Sequence, residues 1–152
     1  MKLNIDGKDY TFVYSIEASL CEECVEKTTS IMVAIGEAQS EEDMKKMINS
    51  LSNIPQTALS MFYAGLLEKH GDVVRSKADA KVLLKKYLEQ HSDEENANFY
   101  GILMMVFEQM QEDGFFKLIG LEQMMNEASQ TEGMETAPKR GKRKSITTVS
   151  KN

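Results

Sequence analysis

Cysteine is scarce in this sequence of 152 residues: there are two, and both lie in the stretch LCEECVE. Cys21 and Cys24 sit three apart on a predicted helix, with no second Cys or Cys/His pair to close a zinc site or a disulfide framework. A redox pair at this spacing needs a strand-to-helix setting that the flanking residues do not supply. The two read as reduced thiols partly in the core. Glycine-rich phosphate loops are missing as well, since Gly65, Gly101, Gly114 and Gly120 each stand alone. The only histidines, His70 and His91, fall at predicted helix C-termini, where an imidazolium complements the helix dipole and capping accounts for both. The acidic runs EEDMKK and SDEEN lack the alternating oxygen ligands of a calcium loop and read as helix starts. The residues therefore predict a protein that is not an enzyme and that holds no metal or cofactor.

Long apolar runs are also absent. The stretch Ile54 to Leu67 is fourteen residues without a charge, short of the roughly 20 apolar residues needed to span a bilayer. The opening MKLNIDGKDY is charged and has no apolar core of a signal peptide, so a cytoplasmic protein is expected. Acid is missing from one region only. Residues 138–152 hold six of the 18 basic residues and no acid, which leaves 12 basic against 24 acidic, a net of −12, in residues 1–137. An acidic body repels nucleic acid and anionic membranes, so any such binding would have to reside in the tail. That tail, APKRGKRKSITTVSKN, has the charge of a nucleic-acid arm but no aromatic side chain for base stacking.

What is present is a set of helix and turn signals. In KLNIDGKDYTF the pair Asp6-Gly7 predicts a two-residue hairpin turn, matching Ile5 with Lys8, Leu3 with Tyr10 and Met1 with Phe12. Five apolar side chains then share one face, and Lys2, Asn4, Asp9 and Thr11 take the other. So small a hairpin must pack on helices, and its open edge is available to another chain. Ser15 opens a helix to about Gly36 with Ile16, Leu20, Cys24 and Thr28 on one side. The sequence SEED, residues 40–43, opens a second with Met44, Met47, Ile48 and Leu51 at helical spacing. Pro55 and Gly71 bracket a helix over 55–70 that is apolar around nearly its whole circumference. Ser76 opens the next, with Val82, Leu83 and Leu88 facing the core. Ser92 opens another that Gly114 ends, and FFKLIGLEQMMNEA supplies one or two closing helices. The fold class is mostly α: a compact helical domain with an N-terminal hairpin over 1–128, and a disordered basic tail over 129–152.

With no chemistry in view, surfaces carry the functional reading. Met104, Met105, Met110, Met124 and Met125 crowd the C-terminal third, where flexible thioethers suit a surface that accepts varied apolar partners or a loosely specified core. Phe115, Phe116, Leu118, Ile119 and Leu121 either close the core or present a sticky patch. The partner-binding candidates are Met61, Tyr63, Leu66, Met104, Met105, Phe115, Phe116, Leu118 and Ile119. The 55–70 helix reads first as a central core helix, and second as a ligand-contacting one.

Over residues 1–125 the order and spacing of three stretches resemble the tail assembly chaperones of long-tailed bacteriophages with Gram-positive hosts. The stretches are the hairpin running into FVYSIEASLCEE, then NIPQTALSMFYAGLLEKHG, then FYGILMMVFEQMQEDGFFKLIG, followed by a polar Lys-rich end. The resemblance implies a non-enzymatic protein of the host cytoplasm, absent from the mature virion. Such a chaperone coats the apolar tape measure protein, keeps it soluble, and leaves as tail tube subunits polymerise around it. It also implies self-association, sometimes in spirals, and in many members a longer form made by ribosomal frameshifting. The alternative from the residues is a small phage regulatory protein that binds nucleic acid through its tail. A redox protein using Cys21 and Cys24 is the third reading.

Overall fold

The computed structural model describes residues 1–37, 42 and 52–135. The expected helix from SEED through Leu51 and the basic tail from residue 136 onward lie outside the described residues. Two strands, β1 (Lys2–Ile5) and β2 (Lys8–Thr11), precede α1 (Ile16–Ser19) and α2 (Glu22–Glu37). Then come α3 (Ile54–His70), α4 (Lys77–Gln90), α5 (Phe99–Glu112), α6 (Phe115–Leu118) and α7 (Leu121–Glu135). The mostly α architecture with an N-terminal hairpin is the one the sequence predicts.

The hairpin register is Lys2 with Thr11, Leu3 with Tyr10, Asn4 with Asp9 and Ile5 with Lys8. Asp6 and Gly7 both take positive φ, 56° and 80°, the double left-handed turn whose twist matches the strands. Leu3, Ile5, Tyr10 and Phe12 are buried against the helices, which supplies the apolar cover that a two-stranded sheet needs. Side chains cover part of each edge. On the β2 side the Thr11 N–H donates to His70 Nε2 at 2.9 Å. On the β1 side Gln90 accepts from the Asp6 N–H at 3.0 Å and donates to the Asn4 carbonyl at 3.3 Å. Two side chains thus take one outward strand group on each edge, the Thr11 N–H and the Asn4 carbonyl, which narrows the expected free edge at those points.

α3 is the hub. It packs against α1, α2, α4, α5 and β2, and Ala58, Met61, Phe62, Ala64 and Leu66 have no exposed surface. This is why the helix is apolar all round: its neighbours surround it, and the central-core reading holds. The chain leaving the hairpin crosses α3 at Gly65, whose carbonyl accepts the Val13 N–H at 2.9 Å. A Cβ on Gly65 would lie 2.6 Å from the Tyr14 hydroxyl and 2.9 Å from Phe12 Cδ1, so no larger residue fits there without a shift. Tyr14 is fully buried, and its hydroxyl donates to the Met61 carbonyl at 2.9 Å. Burial, then Cys24 and Asp113, push its phenol well above the usual range, so it remains a donor. Ring contacts between Phe12 and Phe62 at 4.7 Å, and between Tyr14 and Phe115 at 6.0 Å, complete the centre of the core.

Several expected boundaries move. The first helix breaks after Ser19, and Ile16 and Leu20 become 63% and 74% exposed instead of sharing a face with buried Cys24 and Thr28. In α4 the buried residues are Ala80, Leu84 and Tyr87, while Val82 points outward at 55% exposure; Leu83 and Leu88 do pack on the core. Ser76 forms the full reciprocal cap with Asp79. Ser92 opens no helix: α5 starts at Phe99, where Asn98 Oδ1 accepts the Gly101 N–H at 2.9 Å. Gly114, at φ 71°, follows the end of α5 as expected. The closing segment makes two helices, and the second continues past Ala128 to Glu135.

Candidate partner-binding surfaces

The nine side chains proposed as partner contacts divide by burial. Met61, Leu66 and Phe115 are fully buried core residues, which leaves them no surface for a partner. Tyr63, Met105, Phe116 and Ile119 are half-buried against the core, and Met104 and Leu118 are each 50% exposed. Tyr63 also ties its hydroxyl to the Arg75 carbonyl at 3.3 Å. The GFFKLIGL cluster does both jobs offered to it: Phe115 and Leu121 close the core, while Leu118 faces out.

α5 brings part of this set into one strip. Its buried face is Ile102, Leu103, Val106 and Met110. Tyr100, Met104 and Phe107 follow one another at i, i+4 and i+7 along one flank of that face, with Tyr100 and Met104 exposed and Phe107 half-buried against the core, so they form a continuous row. Tyr100 is 59% exposed, and Phe107 stacks on Phe116 at 6.1 Å, which carries the row from α5 onto α6. Met105 falls on the opposite flank of α5 and does not join it. Tyr100 and Phe107 were not among the sequence candidates, although the uncharged run from Phe99 to Phe107 is wider than one buried face requires.

A second apolar surface is a groove of about 440 Å³ where the starts of α3 and α5 meet α4. It is lined by Leu59, Leu84, Leu88 and Phe99, by Pro55 and Gln56 from the start of α3, and by Lys81, Lys85 and Glu89 along α4. Lys85 pairs with Glu89 at 3.7 Å.

The polar side chains make structural ties. Glu23 accepts from Lys77 Nζ at 2.8 Å through each oxygen and from Ser60 Oγ at 2.8 Å, joining α2, α3 and α4. The Lys77 ammonium is the main cause that holds its carboxyl below the usual range. His70 does not act as a charged helix cap. Accepting the Thr11 N–H requires a neutral Nε2, and burial, then Lys8, lower its basicity against a smaller opposing pull from Asp72. His91 does sit at the C-cap of α4, against the Tyr87 ring and 2.8 Å from Glu94. Cys24 is buried, and that burial, with Cys21 and Glu23 adding to it, pushes its thiol up to about 12, far from a nucleophilic thiolate.

Among the described residues no three His, Cys, Asp or Glu side chains converge as a metal site requires, and no helix is long and apolar enough to cross a membrane. No protein-family model matches the chain, and neither a curated protein nor a solved structure matches it.

Proposed function

We propose that this chain is a phage tail assembly chaperone that binds the tape measure protein, keeps it soluble and helps recruit tail tube subunits. On this reading it works in the host cytoplasm, acts by covering apolar surface rather than by catalysis, and is absent from the finished virion. The observation that carries the reading is the outer row Tyr100, Met104, Phe107 and Phe116. It is an adaptable apolar strip on a strongly acidic body, suited to a helical apolar ligand that must stay in solution. The strip is long enough to meet a helix at successive turns, and the charge around it opposes aggregation of the complex.

The test is co-expression with the tape measure protein from the same source. The soluble fraction of that protein should rise with this chain and fall back when Tyr100→Glu and Met104→Glu are introduced together. Equal insolubility with and without the chain would remove the proposal. Both positions are exposed, so loss of the effect with an unchanged melting midpoint assigns the strip and not the fold.

A further inference from the structure

The row on α5 has a spacing and an edge that define what can lie on it. Tyr100, Met104, Phe107 and Gln111 recur at intervals of four, three and four, the alternation by which two helices mesh along a seam. One side of this series is the buried face, through Leu103 and Met110. The other side is acidic. Glu108 follows Met104 at i+4 and Glu112 follows Glu108 at i+4, so both stand on the solvent side of the row, and both are exposed. A Cβ on Gly101 would collide with the Asn96 carbonyl oxygen, so the loop before α5 runs against this same side, about two turns from Glu108. That loop adds exposed Asp93 and Glu95. None of these four carboxylates is in an ion pair among the described residues. α5 itself carries no basic residue, and Lys117 on α6 is the first cation after it.

We infer that the row takes a basic amphipathic helix of a partner protein. Its apolar side chains, at the same alternation, seat on Tyr100, Met104 and Phe107, and Lys or Arg along one flank face Glu108 and Glu112. The inference rests on the reading of this row as a ligand surface and adds the chemistry of the ligand. Charge is needed on one flank only, because the other rides toward α6, where Phe116 stacks on Phe107 and extends the apolar surface. From Tyr100 to Gln111 the row runs for about 17 Å, so three turns of a ligand helix cover it. Gln111 puts a polar group into the seam, which favours one register over its neighbours. Apolar burial supplies the affinity and the carboxylates select the partner, since an acidic flank would bring like charges together. The chain's own basic segment, residues 138–152, has the charge without the seam: Ile146 and Val149 are its only large apolar side chains.

The test titrates the full chain into a fluorescent synthetic helix with leucines at that alternation and lysines along one flank. A twin peptide carries glutamates in place of the lysines. The lysine peptide should bind about tenfold or more tighter than its twin at low salt, and the gap should shrink at high salt. Glu108→Lys with Glu112→Lys should reverse the preference. Glu22→Lys with Glu26→Lys, an exposed pair on α2, changes the net charge equally and should leave most of the preference in place. Equal binding of the two peptides would overturn the inference, and so would an equal loss from the α2 pair, which reduces the effect to net charge. Tyr100→Ser with Met104→Ser, at an unchanged melting midpoint, should weaken both peptides. If the peptides bind equally and both respond to that change, the row remains a ligand surface and only the basic partner is lost. A photo-crosslinker at position 104 should capture the lysine peptide, whereas crosslinks within the chain to residues 139–151 would give the row to the basic segment and overturn the inference.

Discussion

α3 and α7 are helices of similar length, 17 and 15 residues, in opposite surroundings. α3 buries Thr57, Ala58, Ser60, Met61, Phe62, Ala64, Gly65 and Leu66, whereas α7 buries Leu121 and then exposes every residue from 122 to 131. One helix is held by five neighbouring elements. The other is held by local hydrogen bonds, such as Gln123 to Glu127 and Ser129 to the Met125 carbonyl. Local terms amount to a few tenths of a kilocalorie per pair, while burying a large apolar side chain contributes about 1.5–3 kcal/mol. The same secondary structure therefore has two different physical causes, and the two helices should respond differently to substitution and in hydrogen exchange.

The largest expected effect lies in α3. Phe62 has no exposed surface and its ring meets Phe12 at 4.7 Å, so Phe62→Ala leaves a cavity between the hairpin and the helix. Urea unfolding followed by circular dichroism should show a loss of about 3–5 kcal/mol. A loss below about 1 kcal/mol would mean that the site collapses around the missing ring, and the contrast with α7 would then be false.

A smaller effect concerns the clamp where α3 ends and the hairpin begins. His70 is less basic in the folded protein than the ordinary imidazole, so the unfolded chain takes up its proton first as pH falls. The stabilisation is complete above about 6.5, the ordinary histidine value, and is lost as pH drops through the lower folded value. Protonation also removes the acceptor for the Thr11 N–H, a bond whose net worth is about 0.5–1.5 kcal/mol. The urea midpoint should be lower at pH 5.5 than at pH 7.5, and His70→Gln should shrink that difference. Glu23 is distinct in window but not in sign. Its lowered carboxyl favours the folded state above the usual carboxylate range, and that contribution fades only in stronger acid. A midpoint that rises on going to pH 5.5 would show that His70 is not the neutral acceptor the geometry requires.

The contrast also marks where sequence reasoning succeeds. Asp6-Gly7, Pro55, the Ser76–Asp79 cap and Gly114 are local devices, and each appears where the residues place it. The central position of α3 was readable because a helix with no polar face has to be surrounded. What failed depends on neighbours. Val82 has a core-like side chain, but the core lies on the Ala80–Leu84–Tyr87 side of its helix. Met61, Leu66 and Phe115 carry the same chemistry as Met104 and Leu118, and only packing separates buried from open. Ser92 heads as good a capping signal as Asn98, yet Asn98 supplies the side-chain cap. The residues after Ala128 looked too polar to build a core, which is correct, but a helix can continue without building one. The candidate surface was legible as methionine-rich and late in the chain. Its row through Tyr100 and Phe107 needed the burial pattern.

The smallest expected change in stability is the most informative about α7. Met124 and Met125 touch solvent, so Met124→Ser with Met125→Ser should alter the unfolding free energy of dilute protein by no more than about 0.5 kcal/mol. Hydrogen exchange gives the other half of the comparison. In dilute protein the amides of α7 should exchange far faster than those of α3, because fraying of an uncovered helix costs little. Protection of α7 as strong as that of α3 would mean that its helicity rests on more than local hydrogen bonds, and the difference in cause between the two helices would disappear.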